Sequence, residues 1–170
     1  MSAGGQPTPT ALLLIGCSRR KTMGLRRGRA WDVYDGPLFQ VLKKALRGRA
    51  GWDAVVSVLI VSAKHGVIRA DRVIATYDER LTALAAREQA ERFGRQLRML
   101  IAGRRFRAVQ VNLGRHYLEA LPDLDRLFTQ TPVDRASGGI GVRNAQTRRW
   151  LLEQLDAEGP SPIGGTDGPW

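Results

Sequence analysis

The sequence is short of the residues that build staples and metal centres. It has one cysteine, Cys17, which cannot close an internal disulfide. Its two histidines, His65 and His116, leave too few Cys and His ligands for a structural zinc site, so no metal and no cofactor are expected. No apolar run nears the ~20 residues of a membrane-spanning helix. The longest are Ala11–Ile15 and Val58–Val61. Residues 1–10 lack both a basic start and an apolar signal core, so the cytoplasm is the expected compartment. Aromatic residues are only 6% of the chain, and only four of its 27 cations are lysines, at 21, 43, 44 and 64.

Arginine fills the gap. Against 16 acids the cations leave a net charge of +11, and the fork-shaped guanidinium pairs well with phosphate. A GC-rich genome would inflate Arg, Ala and Gly together, so placement carries more weight than the total. Arg19, Arg20, Lys21, Arg26, Arg27 and Arg29 occupy 19–29 without an acid. Lys43, Lys44, Arg47 and Arg49 follow, with no acid between Gly36 and Trp52. An anionic partner is expected, a nucleotide or a nucleic acid.

At 170 residues with 43% hydrophobic and 25% charged side chains, the chain fits one globular domain. The expected division is a disordered leader over 1–10, a single domain over 11–155 and a flexible tail over 156–170. Ala11–Ile15 is a buried strand, Pro37 opens a helix, Ala54–Ser62 is a central strand and Leu81–Ala102 carries the stripe of a long amphipathic helix. Phe106–Leu113 alternates as a third strand, short helices cover 115–120 and 123–128, and Arg143–Leu155 is the last helix. The stretches 19–36 and 63–79 show no period and are expected as basic segment and polar loop. The expected fold is α/β, a mainly parallel sheet flanked by helices.

Sites in such folds lie at the carboxyl ends of the strands. That rule selects three loops, Gly16–Lys21, Ser62–Asp78 and Gly114–Tyr117. In the first, Cys17 is a candidate nucleophile whose pKa neighbouring cations would lower, or a small core residue; Ser18 and Lys21 are candidate anion contacts. The glycine spacing of a P-loop is missing there, which disfavours nucleoside triphosphate hydrolysis by that route. In the second, His65 is a candidate acid or base, or a loop histidine packed on backbone. Asp78 is a candidate carboxylate for water activation, and Asp78 and Glu79 serve equally as caps of the next helix. Ser62, Lys64, Gly66 and Tyr77 are candidate substrate contacts. Tyr34, beside the first basic cluster, is the candidate for stacking on a base, with Phe39 in the core. Gly138–Gly141 is a turn or a close approach to phosphate at a helix start, with Arg143 behind it as a further contact.

Taken in order, these segments form a pattern: Cys17-Ser18-x-x-Lys21, Ala30-x-x-x-Tyr34-x-x-x-Leu38-Phe39, Ser62-Ala63-Lys64-His65-Gly66-Val67, Asp71-x-x-Ile74-x-x-Tyr77-Asp78-x-x-Leu81 and Gly139-Ile140-Gly141. The pattern closely resembles DUF6884, a family of bacterial and phage proteins without an established function. More distantly it is similar to the YaaA-type DNA-binding family. The Cys17-x-x-x-Lys21 spacing is similar to the start of an archaeosine-synthase motif, although Thr22 and Met23 stand where that motif continues with proline and tyrosine. A distant likeness to uracil-DNA-glycosylase folds completes the set. The resemblance implies contact with a nucleic acid or nucleobase. The expectation is an enzyme acting on a nucleobase or its N-glycosidic bond, with a non-catalytic DNA- or RNA-binding protein as the alternative.

Overall fold

The computed structural model describes residues 9–158. Its centre is a five-stranded sheet. Strand β1 (Ala11–Gly16) lies between β3 (Val56–Ser62) and β6 (Ala108–Asn112), parallel to both. Strand β7 (Val133–Arg135) extends the parallel set beyond β6, and β4 (Gly66–Arg69) closes the other edge antiparallel to β3. A separate ribbon pairs β2 (Arg27–Arg29) with β5 (Val73–Ala75). The α/β expectation holds: a single domain with a mostly parallel sheet between helices.

Alternation along the central strands divides the core in two. Leu12 and Leu14 of β1, with Leu59 and Val61 of β3, face α3 (Ala83–Ile101), α4 (Arg115–Glu119) and α5 (Leu124–Leu127). Leu13 and Ile15, with Val58 and Ile60, face α1 (Ala30–Val33), α2 (Pro37–Ala45) and α6 (Ile140–Ala157). Both faces of the sheet are covered, so β1 reads as an unbroken apolar run. Each of these aliphatic side chains contributes about 1.5–3 kcal/mol by leaving water.

The helix ends follow local chemistry. Pro37 occupies the first position of α2, where its missing N–H costs nothing. The Thr82 hydroxyl accepts the Ala85 N–H at 3.1 Å and caps α3, so the capping role weighed for Asp78 and Glu79 belongs to Thr82. Gly139 is the cap of α6, which therefore starts three residues before the expected Arg143 and turns part of the glycine loop into helix.

Two stretches without period do contain structure. Residues 19–36 hold β2 and α1, and 63–79 hold β4 and β5. Elements of three or four residues are too short to display a period. The expected leader and tail fall largely outside the described residues, at 1–8 and 159–170. Of what is described, Thr10 is tied to the sheet through the Val55 and Arg107 backbones, and 156–158 finish α6. There the Arg107 guanidinium pairs with Glu158 and donates to the Gln154 carbonyl at 2.9 Å.

Candidate anion-binding crevice

The connections after β1 and β6 leave the sheet in opposite directions, the first to α2 on one face and the second to α4 on the other. The register sets Ile15 beside Asn112 and Gly16 beside Val61, so the carboxyl ends of β1, β3 and β6 lie level. Neighbouring parallel strands with diverging connections leave a crevice between them, where open α/β sheets bind ligands. Here it is a cavity of about 620 Å³. Its floor holds Asn112, Asn144 and Phe39, its wall Cys17 and Tyr117, and its mouth Arg19 and Arg20. Arg143 lines it as well, and among the described residues no carboxylate does. The first turns of α2 and α6 border it through Pro37, Leu38 and Ile140, adding the partial positive charge of two helix N-termini.

Beside the crevice, three hydroxyls close a ring. The Tyr34 and Tyr77 oxygens are 2.7 Å apart, the Ser62 hydroxyl is 2.7 Å from Tyr77, and Tyr34 donates to Ser62 at 3.2 Å. Ser62 also accepts the His65 backbone N–H at 3.1 Å. Burial pushes the Tyr34 phenol up to about 12, against the pull of its bonds to Ser62 and Tyr77. Burial likewise holds the Tyr77 and Tyr117 phenols well above the usual tyrosine range, reinforced by the proximity of Cys17. The Tyr117 hydroxyl lies 3.0 Å from the Cys17 sulfur, so Cys17 has a hydrogen-bonded partner on the crevice wall.

Lys21 sits on the far side of the same loop. Its ammonium is 4.6 Å from the centre of the Tyr77 ring and donates to the Arg19 carbonyl at 3.1 Å. Partial burial lowers its pKa, while Cys17 and Asp78 act to raise it. Lys21, Arg26, Tyr77 and the exposed carboxylate of Asp78 line a second groove, of about 560 Å³, which meets the crevice at Arg19.

The structure thus gathers Cys17, Ser18 and Arg143 at the crevice and Lys21, Tyr77 and Asp78 at the adjoining groove. The other candidates have different surroundings. Tyr34 is fully buried, its ring packed on Phe39 with centroids 5.4 Å apart, so the base-stacking role is closed to it and only its hydroxyl reaches the cluster. Ser18 donates to the Arg20 carbonyl at 2.6 Å and accepts the Gly36 N–H at 3.1 Å, which ties the loop to the start of α2. His65 lines neither cavity. Its ring stands edge-on to Tyr77, its Nε2 is enclosed without a partner, and burial followed by Arg72, Lys64 and Arg92 lowers its pKa. The Lys64 ammonium is exposed 5.7 Å from the Tyr77 ring.

Gly66 is a backbone requirement rather than a contact. Its φ is +74°, and a Cβ there would lie 1.9 Å from the Gln96 amide oxygen. Gln96 clamps the hairpin through that space, accepting from the Val67 N–H at 3.0 Å and donating to the His65 carbonyl at 3.1 Å.

Sequence reasoning missed Asn112, Asn144 and Tyr117 as lining residues. Tyr117 lay within a loop the strand-end rule had selected. Asn112 ends a strand at the same level, a signal that rule could have used. Asn144 has no local signature, because only the packing of α6 against the sheet brings it there.

Comparisons with known proteins place the chain in a wider setting. A family model described as a family of unknown function (DUF6884) matches residues 12–149. No curated protein matches the sequence. Among solved structures the crystal structure of AF0587, a protein of unknown function, is similar at 15% identity with a TM-score of 0.50. The match covers 91% of this chain and 46% of that one, so this chain spans about half the length of AF0587, and the likeness concerns the fold alone. Neither match supports the more distant likenesses to the YaaA-type, archaeosine-synthase or uracil-DNA-glycosylase proteins. Among the described residues no helix is long and apolar enough to cross a membrane.

Proposed function

Because the chain belongs to the DUF6884 family, whose function is unknown, we propose its activity from the site: a nucleotide- or nucleic-acid-acting enzyme that works on a nucleobase or its N-glycosidic bond. One observation carries the reading. The crevice at the strand ends is lined by Arg19, Arg20 and Arg143, bordered by two helix N-termini, and lined by no carboxylate among the described residues. Among the described residues, Arg20 is the one of these arginines with an acidic partner, Asp35 at 3.5 Å. A phosphate is the anion that such donors satisfy best.

Chemistry would fall at the junction of the two cavities. In glycosidic cleavage the base departs with the electron pair of the C1′–N bond and gains a proton, while water delivers hydroxide to C1′. Asp78 is the exposed carboxylate that would take the proton from water. The Cys17–Tyr117 pair on the crevice wall would give the departing base its proton, and Lys21 lines the adjoining groove with Asp78. Incubation with nucleosides, nucleotides, single- and double-stranded DNA and tRNA, followed by mass spectrometry for free bases, tests this directly. Release from one substrate that disappears in Asp78→Asn supports the reading. Undiminished release in that variant removes Asp78 from the mechanism.

A second reading, binding without chemistry, is favoured by the exposed run of Arg19, Arg20, Arg26 and Arg27 beside the groove. It predicts an affinity for nucleic acid that grows with chain length and falls steeply with salt.

A further inference from the structure

We infer that the crevice takes its nucleotide base first: Asn112 and Asn144 on the floor read the nucleobase, and the phosphate remains at the mouth with Arg19. This rests on the nucleotide reading above and adds an orientation to it.

The floor is polar but uncharged. Asn112 is 4% exposed and Asn144 8%. Thr147 donates its hydroxyl proton to the Arg143 carbonyl at 3.0 Å, so its oxygen can only accept from Asn112. The Asn112 Nδ2 does donate to it, at 2.9 Å. That chain fixes the amide: the nitrogen is held by Thr147 and lies 3.5 Å from the Arg143 carbonyl, and the oxygen accepts no hydrogen bond among the described residues, which leaves it as the acceptor of a residue that lines the cavity. The Asn144 amide makes no hydrogen bond within the described residues, and its polar atoms are not sealed off from the cavity. Two amides nine-tenths buried, both lining the cavity and with unfilled hydrogen-bonding capacity among the described residues, call for a partner there, since a buried polar group without one is costly.

The partner must donate. A dianionic phosphate has no proton to offer, and the fixed Asn112 oxygen would repel it. The N–H and amino groups on a base edge satisfy that oxygen, and the Asn144 amide can both give to and accept from the same edge. The half-buried ring of Tyr117 on the wall suits a flat, apolar-faced group, with Phe39 closing the core beneath. Of the three arginines, Arg19 and Arg20 are exposed at the mouth, whereas Arg143 is half-buried with its Nη1 3.5 Å from the Leu113 carbonyl, so the mouth is where a solvated phosphate meets two cations.

Affinities of wild type, Asn144→Ala and Arg19→Ala, measured by calorimetry for the four ribonucleoside 5′-monophosphates, their nucleosides and ribose 5-phosphate, test the orientation. In Asn144→Ala the preferred nucleotide and its nucleoside should weaken by the same factor, about tenfold or more, with ribose 5-phosphate unchanged. In Arg19→Ala the nucleotide and ribose 5-phosphate should weaken and the nucleoside hold. Equal losses for ribose 5-phosphate and nucleotide in Asn144→Ala, or no loss for either, overturn the proposal while nucleotide binding stands. Absence of binding by wild type overturns both. Asn144→Asp covers the case in which the alanine variant does not fold: it retains an acceptor for a base edge but would abolish phosphate binding if phosphate occupied the floor, an outcome that also refutes the orientation.

Discussion

Replacing Gly66 with alanine should destabilise the domain by an amount the hairpin sets. At φ +74° a side chain costs roughly 1–2 kcal/mol. The new Cβ would also expel the Gln96 side chain, whose two hydrogen bonds to the hairpin backbone are each worth about 0.5–1.5 kcal/mol. A smaller unfolded-state entropy returns about 0.4–1 kcal/mol. The net is a loss of about 1–4.5 kcal/mol, or roughly 2–18 °C in Tm for a domain of this size. Urea denaturation of Gly66→Ala, Gln96→Ala and the double variant separates the contributions. Once Gln96 is truncated there is nothing left to expel, so the double variant should be less destabilised than the sum of the singles by about 1–3 kcal/mol. A Gly66→Ala cost below about 1 kcal/mol, or strict additivity, would refute the clamp and restore Gly66 as a candidate ligand contact.

Other perturbations probe the hydroxyl ring and its surroundings. Tyr34, with a pKa of about 12, and the more strongly raised Tyr77 and Tyr117 are all the tyrosines in the chain. Native protein should therefore show little tyrosinate absorbance at pH 10.5, whereas unfolded chain titrates near 10; the unfolded state loses protons first, so stability falls as pH rises from about 10 to 12. An ordinary native titration near 10 would contradict the enclosed ring. His65, lowered from 6.5, binds its proton in the unfolded state first. Its contribution to stability is full above 6.5 and declines as pH falls toward its folded value, a dependence that His65→Gln should remove from denaturation midpoints. Lys21→Ala should weaken nucleotide binding with little change in Tm, because the ammonium is partly desolvated and its one hydrogen bond among the described residues is to the Arg19 carbonyl of its own loop. A large fall in Tm would make Lys21 a structural residue.

The long elements were legible because each shows a full period of its own. β1 is buried on both faces and reads as one apolar run, and α3 repeats its stripe over five turns. The ribbon of β2 and β5 was not, since three-residue strands whose stability comes from Arg27↔Ala75 and Arg29↔Val73 pairing leave no pattern in either segment alone. The strand-end rule selected the loops that border the two cavities and, within them, Cys17, Lys21, Tyr77 and Asp78. It could not tell residues that face the cavities from those that build the loops. Ser18 and Gly66 serve the backbone, and Tyr34 is sealed behind Phe39, distinctions made only by tertiary packing. Asn144 illustrates the converse: a polar residue in the middle of a helix becomes a floor residue because Trp150 and Leu151 anchor α6 on the sheet.

Both the proposed activity and the orientation of its ligand require a nucleotide in the crevice between β1 and β6. Titrating isotope-labelled protein with the ribonucleoside 5′-monophosphates and following backbone amide shifts tests it most directly. The account predicts saturable shifts centred on Gly16–Arg20, Gly36–Phe39, Asn112–Tyr117 and Ile140–Asn144. Shifts centred instead on the Trp31 and Trp52 cavity at the opposite end of β3, or no saturable shift with any nucleotide, would contradict it.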